Sequence, residues 1–152
     1  MSDGKKPRLI GINHVAIEVG DIDEALQWYG RIFEFNLRGK GERNAFIDMG
    51  DQFINMTRVP DYKHSGVERR HIGFVVDDRS TVKARAEAAG AKMVEGPFLD
   101  FLDPWGNRIE VIQYDNIQFT KAPNVLRGMG LSHLIKNEKA TKELAEKGMA
   151  QE

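Results

Sequence analysis

The sequence INHVAI at residues 12–17 returns in altered form as RHIGFV at residues 70–75. In each copy a histidine precedes a run of apolar and β-branched residues, and an aspartate, Asp21 or Asp78, follows that histidine by seven positions. A stretch with the apolar spacing of a helix comes next in both places. We interpret the repeat as an internal duplication, which predicts two similar modules with a functional site between them.

The composition is that of an ordinary globular domain. The chain has 152 residues, of which 41% are hydrophobic, and its 22 basic and 23 acidic residues nearly cancel. The sequence has no basic stripe interleaved with aromatic residues, as a nucleic-acid site would need, and no apolar run of membrane-spanning length. The absence of cysteine excludes disulfides and thiolate catalysis. We therefore expect a cytoplasmic protein that binds neither nucleic acid nor a membrane.

Strand and helix signals alternate along the chain and give its organisation. Both copies predict the order β-α-β-β-β, and antiparallel strands with a crossover helix in each half indicate the α+β class. In the tail, the spacing of Leu131, Leu134, Ile135 and Leu144 predicts a helix that Gly148 would end. The predicted boundaries are 1–8 for a flexible arm, 9–59 for module one, 60–68 for a linker, 69–114 for module two and 115–152 for a C-terminal extension. Residues 9–114, with both modules, are predicted to form a single domain.

Superposing the two modules selects four candidate site residues. Asn55 follows His14, and Glu110 follows His71, by nearly the same number of residues, so that Asn55 and Glu110 are equivalent positions on the last strand of each module. Both are polar residues between apolar neighbours, and a polar side chain facing an interior needs a partner or a ligand. Two imidazoles and one carboxylate match a set that holds a divalent metal and leaves positions open for substrate. The alternative is that both histidines are ordinary core residues and that Glu110 pairs with a cation such as Arg108.

Three stretches of the chain resemble the vicinal-oxygen-chelate superfamily, which includes glyoxalases, extradiol dioxygenases, fosfomycin-modifying enzymes and bleomycin-resistance proteins. They are residues 13–17 with Asp21, residues 71–75, and the segment FLDPWGNRIE at 101–110, which is the most specific. The resemblance covers residues 9–114. It implies two tandem modules forming a curved mixed sheet around a central metal, usually in a homodimer. It also implies metal ligands at the positions of His14, His71 and Glu110.

The resemblance leaves the reaction open. Glyoxalases and epimerases of this superfamily usually place a fourth ligand or a base, typically glutamate, where this chain has Asn55, and an amide cannot abstract a proton. The metal could be Fe, Mn, Zn, Ni or Co, and the reaction could be that of a dioxygenase, lyase, transferase or isomerase. Asp100 is the candidate catalytic base, and Asn55, Phe46 and Phe98 are candidate pocket residues.

We expect a metal-dependent enzyme that acts on a small oxygen-chelating substrate through Lewis-acid stabilisation of a developing negative charge. Two alternatives stay open at this point. One is a non-catalytic small-molecule binder of the bleomycin-resistance kind, and the other is an interaction protein that docks a partner through residues 115–152.

Overall fold

The first half of the chain folds into one four-stranded mixed sheet with a helix. The computed structural model describes residues 12, 14–62 and 70–151. The strands lie in the order β1-β4-β3-β2, with β1 parallel to β4 and the other neighbours antiparallel. The elements are β1 (His14–Val19), α1 (Ile22–Gly30), β2 (Asn36–Lys40), β3 (Asn44–Asp48) and β4 (Phe53–Arg58).

The second half repeats this plan. Its strands lie in the order β5-β8-β7-β6, again with only the first pair parallel. The elements are β5 (Ile72–Val76), α2 (Val82–Ala88), β6 (Lys92–Val94), β7 (Asp100–Leu102) and β8 (Arg108–Gln113). The predicted α+β class and the two tandem β-α-β-β-β modules are therefore confirmed. The predicted arm at 1–8 and most of the predicted linker at 60–68 lie outside the described residues.

The extension contains two helices where the sequence predicted one. They are α3 (Pro123–Gly128) and α4 (Glu138–Glu146), and residues 131–137 between them are not helical. The prediction of a helix through Leu131, Leu134 and Ile135 is thus wrong. The chain reverses at Gly130, whose φ of +74° ends α3, and the Asn137 side chain starts α4 by accepting a hydrogen bond from the Ala140 backbone N–H at 3.0 Å. Gly148 follows α4 with a positive φ, as predicted.

Helix α1 joins the two modules. Asp21 caps its start by accepting a hydrogen bond from the Glu24 backbone N–H at 2.9 Å. Trp28 and Tyr29, near its end, cross to module two: the Trp28 Nε1 donates to the Ala89 carbonyl at 2.8 Å, and the Tyr29 hydroxyl donates to Asp103 Oδ2 at 2.8 Å. Because α1 contacts both sheets, the two modules share one hydrophobic core.

Each sheet has one face in this core and one face outside it. Side chains alternate along a strand, and the core-facing set is almost fully buried: Ile17, Val19, Ile54, Met56, Phe101, Ile109 and Val111. The opposite face of the first sheet, called here open face one, carries His14, Ala16, Phe46, Phe53 and Asn55. The opposite face of the second sheet, open face two, carries Gly73, Asp100, Arg108 and Glu110, with His71 just before β5.

The extension is anchored by a buried lysine. A single 3-10 turn, Tyr114–Asn116, follows β8, and α4 packs on it through Ala140 and Leu144. The Lys136 ammonium donates to the carbonyls of Tyr114 and Phe119 and lies 3.5 Å from the centroid of the Tyr114 ring. In the described part of the chain, no helix is long and apolar enough to cross a membrane.

Replacing Tyr29 by phenylalanine tests the joint between the modules. Asp103 also accepts hydrogen bonds from the Trp105 and Asn107 backbone N–H groups and from the Asn107 amide, and burial nevertheless raises its pKa. Burial likewise raises the pKa of Tyr29, so its hydroxyl remains a donor. Tyr29→Phe should lower the free energy of unfolding in urea by about 1–3 kcal/mol, because it removes one donor from a buried acceptor.

Tyr114→Phe is the matched control for Tyr29→Phe. Tyr114 is also buried, but its hydroxyl accepts only a long contact of 3.4 Å from the Lys121 backbone N–H. Equal losses of stability in the two variants would contradict a special role for the Tyr29–Asp103 hydrogen bond.

Lys136 predicts a pH dependence of stability. Burial lowers its pKa from 10.5 to about 8, so between these values the unfolded chain binds the proton more strongly than the folded one. The contribution of Lys136 to the free energy of unfolding should therefore increase as the pH rises from about 8 to 10.5. Urea unfolding of wild type and Lys136→Met should show that the free energy of unfolding of the wild type increases relative to that of the variant as the pH rises across this range. A constant difference would contradict the shifted pKa.

Candidate metal centre

Module two presents two ligand-type side chains side by side on open face two. His71 Nε2 lies 3.3 Å from Glu110 Oε2. Glu110 is in the middle of β8, and its neighbour across the parallel ladder is Gly73, which has no side chain to cover it. The side chains of His71 and Glu110 keep 44% and 19% of their exposure, so both are accessible from this face. The pair forms two corners of a potential metal site.

Module one presents His14 on open face one. The His14 ring stacks on Phe53, its neighbour in the ladder, with ring centroids 4.7 Å apart and planes 13° from parallel. Asn55 lies two residues further along β4, and its Oδ1 is buried with no hydrogen-bond partner among the residues that the structure describes. Phe46 lies directly opposite Asn55 on β3. Open face one therefore combines one imidazole, one unsatisfied amide oxygen and an aromatic wall.

The two faces are built on the same frame. In module one the ladder places Ala16, Asn55 and Phe46 in one row, and in module two the equivalent row is Gly73, Glu110 and Asp100. Each histidine lies two residues before the first member of its row. The structure thus gives Asn55 and Glu110 the equivalent positions that the sequence repeat predicted for them.

Asp100 is engaged by an arginine. Only 3% of it is exposed, and its Oδ2 accepts a hydrogen bond from Arg108 Nε at 2.8 Å, while its Oδ1 is buried without a partner. The Arg108 guanidinium, which the alternative interpretation paired with Glu110, forms its ion pair with Asp100. One carboxylate oxygen of the candidate base is therefore already occupied. Its role as a base remains a prediction.

Phe98 lies in the loop before β7, on a cleft that Asp100 also lines. It is 61% exposed and lines an open cleft of about 420 Å³ with Arg79, Lys83 and Leu99. The sequence reasoning missed Arg38, whose guanidinium lies 4.6 Å from the centroid of the Phe53 ring and donates to Asp48 at 2.9 Å. Arg38 is the extra residue of a β-bulge between Leu37 and Gly39, so the regular alternation of a strand gave no signal for its position.

Within one chain the three predicted ligands do not meet. Among the residues that the structure describes, no group of three or more histidine, cysteine or acidic side chains is placed to hold a metal ion. The reason lies in the packing: α1 lies between the sheets, so that His14 and the His71–Glu110 pair are on the outer faces of two different sheets. The structure brings together His71 and Glu110 and leaves His14 elsewhere.

Comparison with known proteins agrees with this architecture. The chain belongs to the glyoxalase/bleomycin resistance protein/dioxygenase superfamily, whose family model matches residues 11–111, more than half of the chain. The motifs at 13–17, 71–75 and 101–110 indicated the same family.

Similar proteins include a metallothiol transferase and two proteins of known structure. The metallothiol transferase FosB of Shouchella clausii is 26% identical over 114 residues, which cover 66% of this chain and 78% of that protein. The fosfomycin resistance protein FosX of Listeria monocytogenes, a mutant of which was solved with Mn(II) and 1S,2S-dihydroxypropylphosphonic acid, has a TM-score of 0.59 at 17% identity. It covers 68% of this chain and 92% of its own. A lactoylglutathione lyase of Agrobacterium tumefaciens has a TM-score of 0.53 at 23% identity. The match covers 72% of this chain and 96% of that protein's chain.

Proposed function

We propose that the protein is a metalloenzyme whose divalent metal is held by His71 and Glu110 of one copy of the chain and by His14 of a second copy, and that its substrate is a small molecule that chelates through oxygen. The observation that carries this proposal is the 3.3 Å approach of His71 Nε2 to Glu110 Oε2 on an accessible face. It is supported by the enzymes among the relatives, one of which was solved with Mn(II).

The donors suit a divalent transition metal. Ligand atoms about 2.1 Å from one ion, at angles between octahedral and tetrahedral, lie roughly 3.0–3.4 Å apart, and the His71–Glu110 distance falls in this range. Imidazole nitrogen and carboxylate oxygen together select ions such as Mn, Fe, Co, Ni or Zn. Two ligands from one module leave the coordination incomplete, so a third has to come from outside that module.

A second copy supplies the missing ligand by symmetry. Open face one of one protomer against open face two of the other, related by a two-fold axis, would create two identical sites, each with His14 from one chain. The same contact would cover Phe46 and Phe53, which are partly exposed in a single chain. The homodimer is thus part of this proposal.

The surrounding side chains define what the site can do. A bound metal would polarise the substrate oxygen that it coordinates. Asn55 would orient the substrate, since its amide can donate a hydrogen bond to an oxygen but cannot accept a proton at neutral pH. Arg38, which is paired with Asp48, lies over the Phe53 ring beside His14. We propose a small anionic oxygen compound, comparable to the phosphonate in the FosX structure, and a group-transfer or addition reaction that needs no base at position 55.

A non-catalytic binder is the second candidate, and Asn55 is the observation that favours it. An amide at the position equivalent to Glu110 removes one acid–base group from the site. A binder that only sequesters a flat small molecule has no need for a complete ligand set. The metalloenzyme and the binder therefore differ in whether His14, His71 and Glu110 hold a metal ion.

Removing a ligand tests the metal centre. Glu110→Gln should weaken Mn²⁺ binding, measured by the loss of the free-ion EPR signal, by at least about 100-fold, because loss of outer-shell partners alone costs roughly 10–100-fold. Glu87→Gln on the exposed side of α2 is the control and should bind as wild type does. Equal affinity of Glu110→Gln and wild type would refute the metal assignment and favour the binder.

Mixing two inactive variants tests the sharing of ligands between copies. His14→Asn and His71→Asn should each lose Mn²⁺ binding as homodimers. In a co-expressed heterodimer, one of the two sites would have all three wild-type ligands, so tight binding of one ion per dimer should return. Titration with Mn²⁺ and analytical ultracentrifugation measure both quantities. No recovery in a verified heterodimer would mean that the site is not shared.

A further inference from the structure

The C-terminal extension, residues 115–151, is fixed at its base to the end of the strand that carries Glu110. The Asn137 backbone N–H donates to the Asp115 carbonyl at 2.8 Å, and the Lys136 ammonium donates to the Tyr114 and Phe119 carbonyls. Helix α4 contacts the same 3-10 turn, and its residues Ala140 and Leu144 are buried. The later part of the extension therefore packs back against the 3-10 turn at which the extension begins.

The opposite end of the extension reaches module one at the turn between β3 and β4. Lys121, with a side chain only 9% exposed, forms an ion pair with Asp51 and lowers the pKa of that carboxyl. Met129 and Val125 pack so closely over Gly50 that a Cβ atom there would lie 2.7 Å from the Met129 Sδ. We call this set of contacts, made by Lys121, Val125 and Met129, the brace.

The turn under the brace also holds His14. The Gln52 side chain donates to the Ile12 carbonyl at 2.9 Å, two residues before His14. Arg38 donates to the carbonyls of Gly50 and Gln52, and Phe53, the first residue of β4, stacks on the His14 ring. A displacement of the turn would thus move the ring against which His14 is oriented.

We propose that the extension positions His14, with the brace as the contact through which residues 115–151 set the geometry of the β3–β4 turn and hence of the imidazole on open face one. This inference rests on the proposed function in so far as His14 is a metal ligand. Lys121, Val125 and Met129 are positioning residues in this scheme and do not coordinate the ion. The extension would have this role in each copy of the chain independently.

The test measures the orientation of His14 without metal. In metal-free wild type, stacking on Phe53 shifts the proton resonances of the His14 ring by ring current, and these signals are assigned by comparison with His14→Asn. Lys121→Met should move the His14 resonances toward those of a histidine that does not stack on an aromatic ring, while Lys121→Arg should keep them near the wild-type positions. Lys139→Met, which removes an ion pair within α4, is the matched control and should leave them unchanged.

Metal binding gives the second measurement. Lys121→Met should weaken Mn²⁺ affinity by about 10-fold, the lower end of the effect of losing an outer partner of a ligand. Asp51→Asn removes the same ion pair from its exposed side, so it should reproduce both effects without placing the fold at risk. Urea unfolding identifies any variant that has lost stability globally. If Lys121→Met is such a variant, the His14 resonances and Mn²⁺ affinity of Asp51→Asn decide whether the brace positions His14.

The outcomes separate this inference from the proposed function. Unchanged His14 resonances in Lys121→Met and Asp51→Asn would overturn the brace, whatever the metal does. Shifted resonances in a protein whose wild type binds no Mn²⁺ would support the brace and overturn the metal assignment. Shifted resonances together with weakened Mn²⁺ binding would support both.

Discussion

The hydrogen bond from Tyr29 to Asp103 links the two halves of the duplication within the core that they share. Tyr29 belongs to the helix of module one, and Asp103 to the turn between β7 and β8 of module two. Together with the Trp28–Ala89 hydrogen bond, this contact places α1 between the sheets. Because the aspartate also organises its own turn through Asn107 and Trp105, one carboxylate couples the packing of the modules to the start of the strand that carries Glu110.

This arrangement decides where chemistry is possible. With the helix between the sheets, both polar faces point outward, so the candidate ligands of a single chain lie on two separate surfaces. His71 and Glu110 lie together on one face, and His14 lies beside Phe53 on the other. The shared site that we propose in a two-fold dimer would unite them, because symmetry would bring each face against its complement. The Arg108–Asp100 ion pair beside Glu110 keeps a buried carboxylate in place next to the ligand pair.

Much of the fold could be predicted from local patterns. The order β-α-β-β-β in each module depends on patterns of residues close in sequence, and both modules form in that order. The equivalence of Asn55 and Glu110 could be read from the repeat alone. The extension was harder to predict, because Leu131 and Leu134 have helical spacing while Gly130 reverses the chain and Lys136 is held by two carbonyls distant in sequence.

The sequence by itself determined the two modules, the family and which residues are candidate ligands, since periodicity and motif spacing are local properties of the chain. Only the tertiary structure decided which of those residues meet. His71 reaches Glu110 because β5 lies parallel to β8, whereas His14 is separated from both by the packing of α1. The contact between the extension and the turn beside His14 is likewise a tertiary one, as it joins Lys121 to Asp51 across 70 positions. Contacts over such distances depend on how preformed elements pack, which the spacing of residues in a sequence does not specify.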